Sequence, residues 1–142
     1  MNMGYRCKHF EIRELVSPAI HKARGDAAWE LLNPAALRML DALRDKFGPV
    51  TVNNWHTGGQ YSESGLRDAG TSTGAAFSMH KFGGAFDCKF KDHTVQEVYQ
   101  HIVARPQDFP EITTLENIQF TKTWLHFDVR NNDTPGIRIV NP

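Results

Sequence analysis

Cysteine is scarce in this chain of 142 residues: Cys7 and Cys88 are the only two, and they form no CxxC pair. A disulfide framework is thereby excluded, and both thiols are read as reduced, Cys88 as a small buried hydrophobe. An excess of charge of either sign is also lacking, since 16 Lys and Arg balance 16 Asp and Glu. No field draws the chain to nucleic acid or to an anionic membrane surface, and neither is expected as a partner. Long apolar runs are missing as well; none approaches the ~20 residues of a membrane-spanning helix. The opening "MNMGYRCKHFEIRELV" is broken by charge every few residues and has no leader-like apolar region. The chain is therefore expected to stay in the compartment where it is made. Repeats, low-complexity tracts and linkers are absent too. With 40 % apolar residues the sequence suits one domain, 1–142, built on a real core.

What is present reads as a few well-punctuated elements. "HFEIRELVSP" predicts a short strand or turn leading into a helix, with Pro18 as an interruption. "NPAALRMLDALRDKFGP" predicts the clearest helix: Asn33 caps it, Pro34 suits its first position, and Leu37, Leu40, Leu43 and Phe47 recur at helical spacing. "VTVNNW" reads as a strand, and the Gly- and Ser-rich stretch from Thr57 to Ala76 holds at most one helical turn. "HTVQEVYQHIVARP" predicts a helix opened by a Thr94/Glu97 capping box and ended by Pro106. "ENIQFTKTWLHFDVR" alternates as one or two strands. Helices and strands are segregated, so the expected fold is α+β: an antiparallel sheet with helices on one face.

The open face of that sheet carries the chemistry. In "AFDCKF", Phe86, Cys88 and Phe90 share an apolar face, leaving Ala85, Asp87 and Lys89 on the other. In "WLHFDV", Leu125, Phe127 and Val129 form the apolar face, opposite Trp124, His126 and Asp128. If these strands share a sheet, Asp87 and His126 project from one side, and the Gly83-Gly84 turn can fold His80 back over them. Two histidines and a carboxylate are the ligand set of a catalytic zinc ion with an open position for water, and hydrolysis is the reaction this suits. His9, His21, His93 and His101 have no such partners and are read as structural or surface histidines.

These residues also carry a family resemblance. "SMHKFGGAFD" resembles the first metal motif, Ser-x-His-x-x-Gly-x-Ala-x-Asp, of the zinc D-alanyl-D-alanine carboxypeptidases and phage endolysin peptidases, a fold shared with hedgehog signalling domains. "WLHFDVR" resembles the second motif, aromatic-x-His-x-Asp-Val-Arg, of the carboxypeptidase branch. The resemblance implies one zinc ion held by His80, Asp87 and His126, and a substrate in the peptide stems or crosslinks of bacterial peptidoglycan. Ser78, Gly83 and Ala85 become supporting positions: a hydroxyl that ties down the loop, a turn, and a small side chain beside the metal. Many members of the wider family place the general base three residues before the second histidine, where this chain has Thr123. Asp128, on the face of His126 but ~7 Å along the strand, ranks first as base. Its other reading is an acceptor that orients a metal-bound histidine. Glu116 ranks second. Arg67 is the candidate anchor for a substrate carboxylate, with Gln60 and His56 as lining residues and Trp55 and Trp124 as walls.

The expected activity is thus a zinc metallopeptidase of cell-wall degradation. Bacteriophage lysins, held in the host cytoplasm until release or carried on the virion, are its natural setting. The alternative is an inactive zinc-binding structural or interaction module, such as a virion component, which Thr123 favours. A third reading is an amidase or esterase with a substrate outside the wall.

Overall fold

Proline and a polar cap open each of the first two helices. In the computed structural model, whose described residues run from 4 to 142, α1 spans Pro18–Arg24 and α2 spans Pro34–Phe47. Ser17 accepts from Ile20 N and Asn33 from Ala35 N. Pro18 and Pro34 sit at the start of each helix, where a missing N–H costs nothing. Pro18, which ends the apolar run, begins α1, and before it Ile12–Glu14 forms a single 3-10 turn, so the segment is a turn leading into a helix as expected. The third helix, α3, spans Val95–Ala104 and forms both bonds of the Thr94/Glu97 capping box.

Five strands form one sheet: β1 Val50–Thr51, β2 Ala85–Phe90, β3 Thr114–Glu116, β4 Leu125–Asp128 and β5 Arg138–Val140, in the order β1-β2-β4-β3-β5. The pairings β1–β2, β2–β4 and β3–β4 are antiparallel, but β3–β5 is parallel. The sheet is therefore mixed, which corrects the expectation of an antiparallel one. The reason is positional. The chain leaving β4 reverses as a hairpin would, but β3 already occupies that edge of β4, so the returning strand passes over β3 and runs beside it in the same direction.

The two faces of the sheet divide as the alternation predicts. Phe86 and Cys88 from β2, Leu115 from β3, and Leu125 and Phe127 from β4 are buried in one core cluster with Leu37, Leu40 and Leu43 of α2 and Val98 and Ile102 of α3. The chain folds as a single small α+β domain, and the polar residues of the central strands are left on the opposite face. Among the described residues no helix is long and apolar enough to cross a membrane.

Candidate metal centre

Strand register sets the first pair of site residues. Asp87 on β2 and His126 on β4 are direct partners across the antiparallel ladder, so their side chains leave the same face side by side. His126 Nδ1 lies 3.0 Å from Asp87 Oδ1. His80 comes from outside the sheet, on a 3-10 turn, Met79–Phe82, capped by Ser78, whose Oγ accepts from His80 N at 3.3 Å. Gly83 then turns the chain into β2 at φ 74, and a Cβ there would lie 2.1 Å from the Leu31 carbonyl oxygen. Both the backbone conformation and the close approach require glycine. The turn brings His80 Nε2 within 3.2 Å of both Asp87 Oδ1 and His126 Nδ1.

Hydrogen bonds on the far side of each ring decide what faces inward. His80 Nδ1 is 3.0 Å from the Gly65 carbonyl, which can only accept, so Nδ1 carries the proton and the neutral ring presents its lone pair at Nε2. His126 Nε2 is 2.9 Å from Asp128 Oδ2 and donates to it, which leaves Nδ1 as the inward lone pair. Two lone pairs and a carboxylate oxygen thus form a triangle with edges of 3.0 and 3.2 Å. Donor atoms ~2.0 Å from a tetrahedral ion stand ~3.3 Å apart, so the triangle already has the size a small cation needs. His80, Asp87 and His126 can therefore hold a metal ion.

The electrostatics agree. Burial alone would push the Asp87 carboxyl up, but hydrogen bonds with His126 and His80 outweigh it and hold the group well below the usual carboxylate range. Burial disfavours a charged His126, yet its bonds to Asp128 and Asp87 prevail, and its pKa is pushed up to about 9. Positive charge, as a proton or as a metal ion, is favoured between these atoms.

The two candidate bases stand in different surroundings. Pairing of Leu115 with Phe127 places Glu116, next along β3, beside His126 on the same face. Its Oε1 is 3.6 Å from His126 Nδ1, its side chain is 19 % exposed, and burial raises its pKa. Asp128 is fully buried, with both carboxylate oxygens occupied by His126 and by the Arg130 guanidinium. Burial pushes its carboxyl up, but the bonds to His126 and Arg130 outweigh that and hold it down. Glu116 lines the cavity over the triad and Asp128 does not.

The triad opens into a cavity of about 370 Å³ that Arg67, Trp124 and Arg130 also line. Arg67 is mostly buried; its Nε donates to the Glu63 carbonyl at 2.6 Å and its Nη2 lies 3.5 Å from Asp87 Oδ2. It braces Asp87 as well as facing the cavity. Gln60 is exposed and does not line the cavity, and neither does His56, whose ring packs against Trp55. Trp55 is likewise elsewhere, its indole N–H donating to the Val16 carbonyl. Thr123 is exposed and also outside it. Ala85 is buried opposite Asp128 in the β2–β4 ladder. His9, His93 and His101 pair with Asp45, Glu97 and Asp108, and His21 packs against Trp55. A cavity of about 400 Å³ beside Tyr5 and Trp29 is slightly larger, but among the described residues no ligand group converges there.

Sequence reasoning missed three contributors. The Gly65 carbonyl acts through the backbone and leaves no side-chain signal. Arg130 and its partner Asp128 both stand in "WLHFDVR", but their two-pronged pairing is not visible there. Val140 to Pro142 reach the cavity only because β5 pairs with β3. Comparison with protein-family models, curated proteins and solved structures found no match for this chain.

Proposed function

We propose that this protein is a zinc-dependent peptidase acting on the peptide stems or crosslinks of bacterial peptidoglycan. The observation that carries the reading is the triangle of His80 Nε2, His126 Nδ1 and Asp87 Oδ1, at the floor of an open cavity with a further carboxylate, Glu116, beside it. The donor set of two neutral imidazoles and one carboxylate suits zinc with an open position. A zinc ion, when bound, supplies a Lewis acid for the scissile carbonyl and lowers the pKa of a water toward neutrality.

The protein side chains do the rest. Glu116 takes a proton from the attacking water and returns it to the leaving amine; burial raises its pKa toward the working range of such a base. Asp128 holds His126 in the tautomer that presents Nδ1 to the site. Arg67 and Arg130 give the cavity a cationic wall, which suits the free carboxylates of a wall peptide. Trp124 and the exposed Phe77 add apolar surface on which a substrate can lie. The choice of peptidoglycan rests on the resemblance of the two metal motifs to those of the cell-wall carboxypeptidases. Glu116 beside the triad supports the active reading, since a base then need not come from position 123.

The test is to incubate zinc-loaded protein with purified peptidoglycan, with and without a chelator, and identify released fragments by mass spectrometry. Chelator-sensitive release of peptide fragments is expected. Intact wall from several bacteria, with zinc demonstrably bound, would overturn the reading.

A further inference from the structure

We infer that Arg130 is a positioning residue for the metal centre, acting through Asp128 on His126; this rests on the metal reading of the triad. Arg130 Nε donates to Asp128 Oδ1 at 2.8 Å, Nη2 donates to Oδ2 at 2.5 Å, and the Arg130 backbone N–H adds a bond to Oδ1 at 3.3 Å. Asp128 Oδ2 is also the acceptor for His126 Nε2 at 2.9 Å. One oxygen thus serves both the guanidinium and the ligand ring.

Among the described residues no side chain other than His126 and Arg130 bonds that carboxylate. Its partner on β2 is Ala85, which has no polar side chain, and its partner on β3 is Thr114, whose buried hydroxyl makes no hydrogen bond. The Asp128 side chain is fully buried, so its charge is balanced by protein partners. A planar fork fixes both the position and the plane of a carboxylate, which a point charge does not. Removing the guanidinium leaves Asp128 with only the residue-130 backbone N–H and the His126 ring, so its carboxylate is less firmly fixed and the bond that aims His126 Nδ1 at Asp87 weakens. The loss falls on metal affinity, although Arg130 is no ligand.

Zinc affinity, measured by competition with a chromophoric chelator, tests this without any activity assay. Arg130→Met is expected to weaken binding roughly 10- to 100-fold, and Arg130→Lys by an intermediate factor, because it keeps the charge without the fork. With Asp128→Asn already in place, adding Arg130→Met should cost nothing further, since both act through one bond. Arg38→Met serves as the control: it removes another bidentate pair, Arg38 with Glu111 on the surface, and should leave zinc affinity unchanged. Circular dichroism establishes that each variant is folded, and if Arg130→Met is not, Arg130→Lys decides. Wild-type affinity in the folded Arg130 variants would overturn the relay, as would losses that multiply with Asp128→Asn or an equal loss in Arg38→Met. Wild-type protein that binds no zinc would overturn the metal reading itself, and the relay with it.

Discussion

Glu116 and Asp128 both carry carboxylates within reach of His126, and their surroundings give them different work. Asp128 is dry and held by the Arg130 guanidinium and the His126 ring, so it cannot readily accept a further proton, whereas Glu116 faces the cavity with burial raising its pKa. Glu116→Gln is expected to lower turnover roughly 100- to 10,000-fold while a full equivalent of zinc stays bound; unchanged turnover would remove Glu116 from the base role. Asp128→Asn should instead show itself first in zinc affinity. The charge on His126 gives a second prediction. Burial disfavours the charged ring, but Asp128 and Asp87 outweigh it and push the pKa from 6.5 to about 9. A folded-state pKa above the unfolded one stabilises the fold fully below the unfolded value, and that contribution is lost as pH rises through the folded value. Thermal melts of chelator-treated protein should therefore show stability falling between about pH 6.5 and 9, a slope that His126→Gln should lack. An equal slope in both proteins would assign it to another group.

At the scale of elements, the site depends on a strand that the sequence did not reveal. Periodicity and end signals made α2 and α3 legible, because Asn33-Pro34 and the Thr94/Glu97 box mark helix starts that packing had no reason to overrule. In α1 the same signal, Ser17-Pro18, opens a helix of only 7 residues with no buried side chain, so its start was legible and its extent was not. β5 is 3 residues with two exposed side chains, too short and too wet to alternate visibly. Yet β5 pairs Val140 with Glu116, and Asn117 N donates to the Val140 carbonyl at 2.8 Å, immediately after the proposed base. Arg138 N donates to the Thr113 carbonyl at 2.9 Å at the other end of the pairing. Arg138→Pro removes that donor while the exposed side chain contributes little. It is expected to cost roughly 10- to 100-fold in turnover by loosening Glu116, with zinc still bound; full activity would show that β3 holds Glu116 unaided.

For the molecule as a whole, what was legible follows from the distance over which each feature is decided. The triad could be read because two of its members lie on strands with a period of two and the third on a glycine turn, and the register then set Asp87 against His126. The placement of Glu116 beside His126 could not, because it depends on which strand lies on the far side of β4, a lateral fact that no local pattern encodes. The antiparallel expectation failed for the same reason, at the β3–β5 edge. Metal binding should tie these parts together: an ion bound only by the folded chain stabilises it by about 2.7 kcal/mol at a free concentration 100 times Kd. The central claim is that His80, Asp87 and His126 form one metal centre, and the most direct test is zinc stoichiometry in the wild-type protein and in folded His80→Ala and His126→Ala variants. The account predicts one equivalent per chain in the wild type and loss of stoichiometric binding in both variants. A full equivalent retained by both variants, or none bound by the wild type, would contradict it.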